Sequence, residues 1–402
     1  MDTVLQVTQK ALAQAMGHDY MAQHGYLEGI SYESIVDIGK DVTDTDMATE
    51  NYLKALGRAI GEYTILAFEE SEEPLPMFIK NMDWGALTEV IVVGDYDVFD
   101  DPMFNPTHGN GSTYSSFEHD VYTPQLYVKV FDKMAAKCIP MSIPATGESG
   151  KNALADAFTS AGAYTKMING LISGLKGTIN KIRTAYSKLL VNTAIAVSDK
   201  STKTAVHLLT EAIANGILPA ESTVVDFLNS SDCLEYAIRR IKDVSNNMVA
   251  PTACYNNGAM PVPATKSNQN LVLLSQFETL LDVKIRANRY NDKYLDMGKV
   301  YHTPCWQSPK VPTVSGAFTF AMSSAISMSP DTTNYFGIGT EGYNKSGVIG
   351  VLYGTGACGF TDYWLKTTVG YTACTDISTQ FHHEKFNMML NPVIPIVAFI
   401  ID

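Results

Sequence analysis

Apolar residues recur at steps of three and four from Ala163 to Val197. They fall at Tyr164, Ile168, Leu171, Ile172, Leu175, Ile179, Ile182, Tyr186, Leu189, Leu190 and Ala194, and no proline interrupts them. This pattern predicts one continuous helix with a single apolar stripe. At 1.5 Å per residue it would be roughly 50 Å long, several times the usual globular helix of about 11 to 12 residues. Gly170, Gly174 and Gly177 lie inside it. Each costs up to about 1 kcal/mol against alanine, which predicts either close packing on the backbone there or a bend. A strict seven-residue repeat with charged flanks is absent, so no coiled coil is expected. The helix reads as a spine on which smaller units are mounted.

The rest of the chain sorts around it. Residues 3–16 carry a helical pattern, Gly17 to Thr45 is a polar stretch that reads as an arm or linker, and Met47 to Tyr63 is helical with Tyr52, Leu53, Leu56, Ala59, Ile60 and Tyr63 on one face. Leu87 to Phe131 reads as one very long hairpin. Its strands are Thr88–Val93 and Gln125–Val130, separated by some thirty residues rich in Asp, Asn, Gly, Pro and Ser. A loop of that length inside a compact domain is unusual, so the hairpin is expected to project. Beyond the spine, Thr202–Asn215 predicts a helix closed by Gly216. Asp232 and Glu235 have capping-box spacing ahead of the apolar face Leu234, Ala237, Ile238 and Ile241. Pro251 to Pro263 reads as a loop. Leu271–Leu274 is a buried-strand run followed at once by a capping box, Ser275 to Glu278, and a helix carrying Phe277, Leu280, Leu281 and Val283. From Val311 onward short apolar segments alternate with glycine-rich turns, a strand-and-turn pattern. The last apolar run, Val393 to Ile401, predicts a buried strand with Pro395 at its start or at a bulge.

Composition narrows the function classes. The chain has 402 residues, enough for two or three cores, and its 46% apolar and 18% charged residues describe an ordered protein. No run of 18 or more apolar residues predicts a membrane span, and the first sixteen residues lack the basic start and apolar block of a signal peptide. The six cysteines are scattered without C-x-x-C spacing. Reduced, mostly buried thiols in a cytoplasm are expected, with no zinc site or disulfide framework. A net charge of −13 argues against a protein that grips phosphate backbones.

Five stretches are candidates for chemistry. Ala145-Thr146-Gly147-Glu148-Ser149-Gly150-Lys151-Asn152 approaches a phosphate-binding P-loop. However, Ala145 replaces the first glycine and Asn152 stands where a magnesium-coordinating Ser or Thr belongs, so a flexible turn fits better. Gly337–Gly342 and Gly354–Gly359 both read G-x-G-x-x-G. The second follows a strand, with Asp376 seventeen residues on. Phe360 to Thr368 is too short for a crossover helix, and too little chain remains for a doubly wound domain. Asp95, Asp97, Asp100 and Asp101 lack the ligand order of a calcium loop and read as a solvated acidic segment. His382-His383-Glu384 lacks H-E-x-x-H geometry, and neighbours on a strand point to opposite faces. No catalytic, cofactor-binding or metal residue is assigned, and no cofactor is expected.

Taken in order, arm, long hairpin, spine helix and later strands resemble the major capsid protein of a tailed bacteriophage with the Hong Kong 97 (HK-97) fold. The resemblance is greatest to the small, short-tailed, phi-29-like group. It rests on Asn270 to Val283 with its "-LDV-", on the helical segment Lys284 to Tyr290, and on the C-terminal block Phe381 to Ile401 with its "-VAF-" strand. The match in order runs from about Met47 to Asp402.

The resemblance implies an α+β, HK-97-like fold. Its parts would be an N-terminal arm and first helices (1–72), an extended E-loop hairpin (73–138), the spine helix of a peripheral domain (139–200), an apical domain (201–345) and strands returning to the peripheral domain (346–402). It implies a shell protein, not an enzyme, that assembles with itself as hexamers and pentamers into an icosahedral head around double-stranded DNA, held by loose, non-specific contact. Portal and other head proteins are implied as partners, with a separate scaffolding protein or none, and no membrane. The location implied is the virion capsid, with assembly in the host cytoplasm. Two alternatives share some of these features: an encapsulin-like compartment shell, and a nucleotide-binding enzyme acting through residues 145–152.

Overall fold

The computed structural model describes residues 3–68, 75, 77–81, 92–93, 126–127, 131–144, 153–250, 253–255, 262–286, 299–307, 320–329, 342–372, 377–391 and 393–402. Three helices come first: α1 (Thr3–Gln23), α2 (Ile35–Thr43) and α3 (Asp46–Phe68). The strands β1 (Phe78–Asn81), β2 (Val92–Val93), β3 (Leu126–Tyr127) and β4 (Phe131–Pro144) lead to α4 (Ala153–Phe158) and the spine helix α5 (Ala161–Asp199). Next are β5 (Ala205–His207), α6 (Leu208–Ala214), α7 (Val224–Asn229), α8 (Ser231–Asn247), β6 (Gln269–Leu274), α9 (Ser275–Leu281) and β7 (Lys299–Thr303). The short pair β8 (Ile326–Met328) and β9 (Tyr343–Lys345) precedes the long strands β10 (Val348–Gly354), β11 (Cys358–Thr372) and β12 (Ile377–Leu390), and β13 (Ile396–Ile400) closes the chain.

The spine helix forms as its stripe predicts. Ser160, extended at φ −153°, accepts the Ala163 N–H at its hydroxyl, 3.2 Å away, and 39 residues follow without a break. It ends where the Thr204 hydroxyl donates to the Ser198 carbonyl, 2.7 Å away. The stripe then serves two cores. Tyr164, Ile168, Ile172, Leu175 and Ile179 pack among α1, α2, α3 and α4, whereas Leu190, Val191, Ala194, Ile195 and Val197 pack against the five-stranded sheet and α6 to α8. Leu189 is the exception on the stripe, at 36% exposure. In the first core the buried Thr8 hydroxyl donates to the Tyr164 hydroxyl (3.0 Å), which also bonds Tyr52, so three elements share one polar knot.

Among the described residues two larger sheets hold nine of the strands, and β2–β3 and β8–β9 form two-stranded pairs of their own. The five-stranded sheet has order β5-β13-β10-β6-β7, and β6, β10 and β13 are buried along their whole length. Strands covered on both faces read as unbroken apolar runs, which is why Leu271–Leu274 and the C-terminal run stood out. β13 begins immediately after Pro395, as expected. The four-stranded sheet has order β1-β11-β12-β4, with β12 paired antiparallel to both long neighbours and β1 parallel to β11. Of the long hairpin, the described part is β2 against β3, Val92 opposite Tyr127.

Several local expectations change. Gly17, at φ 84°, breaks α1 where the first helical pattern ends, but the supposed arm beyond it is helical. Ile35, Ile38 and Val42 of α2 are buried, because the polar stretch carries its own apolar spacing. Within Thr202–Asn215 the first residues form β5, which pairs in parallel with β13, so the helix starts only at Leu208. The cap of α8 is Ser230, not Asp232. The true capping box lies one helix earlier, where Thr223 and Asp226 bond reciprocally. Those bonds, backbone first, hold the Asp226 carboxyl below its usual range. The Ser275–Glu278 box does not form. β6 runs directly into α9, buried Leu274 occupies the cap position, and Glu278 pairs instead with His302 at 2.8 Å. Val283, expected on the buried face, is 64% exposed, because α9 widens at Asp282–Arg286 into a turn of i→i+5 spacing.

Candidate assembly site

The four-stranded sheet and the spine helix form long, extended surfaces. β11, β12 and β4 have 15, 14 and 14 residues, about 45 Å each at ~3.3 Å per residue. The helix is fastened to this sheet by side chains from its middle. Arg183 Nε meets Glu384 Oε1 of β12 at 3.0 Å. The Tyr186 ring stands edge-on to Phe386 at 5.0 Å, with the Lys137 ammonium 5.4 Å from the Tyr186 ring centroid.

The other end of the helix is sewn to the five-stranded sheet. Asn192 Nδ2 donates to the Trp306 carbonyl (3.0 Å), Trp306 Nε1 to the Val348 carbonyl (2.8 Å), and the Ser198 hydroxyl to the Ile396 carbonyl (3.3 Å). At its tip, Asp199 accepts from Tyr343 (3.1 Å), and His207 and Lys345 both reach Asp402, at 2.7 and 2.5 Å. Burial pulls the Asp402 carboxyl up, but Lys345 and His207 outweigh it and hold the group below its usual range.

What remains outward is a long frame with open rims. Among the described residues β4 pairs only with β12, and Ala136, Lys137, Cys138 and Pro140 along it are exposed. On the spine helix, Gly170, Gly174 and Gly177 face open space, with no atom within 4 Å of where a Cβ would stand. The close backbone packing expected there is absent within the described chain, and the helix continues through all three.

The weighed motifs scatter. Ala145–Asn152, Asp95, Asp97, Asp100, Asp101 and Asp376 lie outside the described residues, as do all of Gly337–Gly342 but its last glycine. Gly354–Gly359 crosses from β10 of one sheet to β11 of the other through a turn at Gly356 (φ 94°), with no helix after it. A Cβ on Gly354 would lie 2.7 Å from Ile394 Cγ2, so the chain itself fills the place a pyrophosphate would need. His382 and Glu384 point inward from β12, 3% exposed each, while His383 bonds Thr368 on the other face. Among the described residues no group of three or more His, Cys, Asp and Glu side chains is placed to hold a metal ion. No described helix is long and apolar enough to cross a membrane. Five described cysteines are free thiols, and burial pushes Cys358 up to about 12.

Comparison with known proteins turns this frame into an identity. Residues 11–400 match the family described as Phi29-like phage major capsid protein. The chain belongs to this family. The capsid protein's fold is of the HK-97 type. A capsid structure of Staphylococcus phage Andhra aligns with a TM-score of 0.50 at 12% identity, covering 83% of this chain and 86% of that one. Capsid structures of Cyanophage P-SCSP1u (TM-score 0.39, 10% identity, 83% of this chain and 90% of that one) and of a satellite phage P4 procapsid (0.32, 10%, 84% and 98%) are also similar. No curated protein matches the sequence. The capsid protein is thus a structural, shell-forming subunit of the phage particle that associates with copies of itself.

Proposed function

We propose that this subunit assembles as hexamers and pentamers into a closed icosahedral shell around double-stranded DNA, and that it performs no catalysis. The observation that carries this reading is the extent of the family match, from residue 11 to 400, which leaves almost nothing of the chain for another task. The long frame of spine helix and sheet supports it, since an ordinary contact buries about 800 Å² per partner and extended elements multiply that area. The proposed division keeps the boundaries 1–72, 73–138, 139–200, 201–345 and 346–402 for arm and first helices, hairpin, spine, apical part and returning strands. Assembly is placed in the host cytoplasm, with portal and other head proteins as partners. The net charge of −13 favours loose contact with packaged DNA.

The test is sedimentation of the expressed chain with negative-stain microscopy of the fast fractions. Closed shells, sheets or capsomer rings are the expected result. A small species that binds ATP, and loses it on Lys151→Ala, would overturn the reading in favour of a nucleotide-binding enzyme. Shells that load a cargo enzyme through the N-terminal helices would favour an encapsulin-like compartment.

A further inference from the structure

β12 sends alternate side chains inward, and their character changes half-way along it. Phe386, Met388 and Leu390 join the apolar core, whereas Gln380, His382 and Glu384 are polar and no more than 3% exposed. α3 lies over the polar half so closely that a Cβ on Gly57 would strike the Gln380 side chain, and one on Gly61 would strike Thr367 and the His382 ring. Gln380 Nε2 donates to the Leu53 carbonyl of α3, 3.3 Å away. His382 Nδ1 bonds the Thr367 hydroxyl at 3.0 Å, and its Nε2 is buried with no hydrogen-bond partner among the described residues.

The charged and titratable groups around the ring come from each packed element. α5 brings Arg183, already held by Glu384; β4 brings Lys137 and Cys138, opposite Glu384 and His383; β12 itself adds His383, Glu384 and Lys385. α3 brings Gly57 and Gly61 against the seam, with Lys54, paired with Glu50, on the same helical face. A second proton on His382 would place a cation on a sealed nitrogen that no described residue accepts from, beside a glycine-lined contact that has no room to rearrange.

We propose that His382 is an acid-sensitive latch: the neutral ring seats α3, and with it the α1–α3 helical unit, on the long sheet, and protonation releases it. Burial, and secondarily His383, pushes the seated imidazole down from 6.5 to about 4. The neutral seat is therefore fully favoured above 6.5 and is lost as the pH falls towards 4, because the released ring binds a proton that the seated one refuses. This holds whatever the chain assembles into.

Amide hydrogen exchange on the full chain, corrected for intrinsic rates, tests it in wild type, His382→Gln and the control His302→Gln. The opening of α3 amides in Met47–Ile60 should rise about fortyfold from pH 6.5 to 4.5 in wild type and the control, the linkage of one proton whose binding shifts from 6.5 to about 4. It should stay flat in His382→Gln, with β10 and β13 protected throughout. An equal rise in His382→Gln, or opening of both sheets together, would overturn the latch. Should His382→Gln fail to fold, imidazole C2–H exchange on the wild type decides: titration of His382 near 4 supports it, and titration in the ordinary imidazole range refutes it.

Discussion

Arg183 and Glu384 are 201 residues apart in sequence and 3.0 Å apart in space, with side chains 15% and 3% exposed. Removing the Arg183 charge takes this ion pair from a carboxylate held in the interior. Arg183→Met is therefore expected to lower the unfolding free energy by about 3–5 kcal/mol, seen as a lower denaturant midpoint at unchanged slope. Lys40 and Asp37, both 71% exposed, make the contrast: water screens that pair, and Lys40→Met should leave the midpoint where it is. Only the exposed pair was open to reading from sequence, since its partners stand three residues apart on a helix. Likewise the alternation of His382 and His383 was legible, but which of the two faces inward was not. That choice belongs to α3 and its glycines.

Helices and strands were legible wherever one face is apolar. The spine helix, α3, α8, β6 and β13 all appear where periodicity places them, to within a few residues. Their ends were less so, because a cap depends on what precedes the helix: β6 feeds α9 directly, and Ser230 both closes α7 and opens α8. Glycine within a helix is the sharpest case, as the same residue type has opposite meanings in α3 and α5. Gly174 faces open space, so Gly174→Ala should stabilise the chain by up to about 1 kcal/mol through helix propensity. Gly61 touches Thr367 and His382, so Gly61→Ala should destabilise it by about 1–3 kcal/mol through overpacking. Thermal unfolding of the two variants side by side checks both signs.

At the scale of the molecule, the order of strands in the sheets contradicts the order in the chain. β13, the last element, lies between β5 and β10, with Ile396 to Ile400 all buried. The core around it cannot close until residues 396–400 arrive. Removing residues 396–402 should leave the five-stranded core unformed, while α1 to α4 and the first half of the spine helix keep their own core. Limited proteolysis would then spare fragments from the N-terminal 180 residues or so and digest the rest. Equal survival of both halves would show that β13 is dispensable.

The sequence by itself determined the elements that answer to local periodicity: a spine helix of unusual length, buried strands written as apolar runs, a chain rich in turns after it, and an order of parts resembling a capsid protein. Only the tertiary structure decided that the spine serves two separate cores, that the supposed arm folds into the first of them, and that a polar seam with His382 at its centre joins α3 to the long sheet. The physical reason is the range of the interactions. Amphipathic spacing is set by residues three or four apart, whereas the partners of Tyr164, Arg183, Gln380 and Ile396 lie more than a hundred residues away, and nothing local in their surroundings names them.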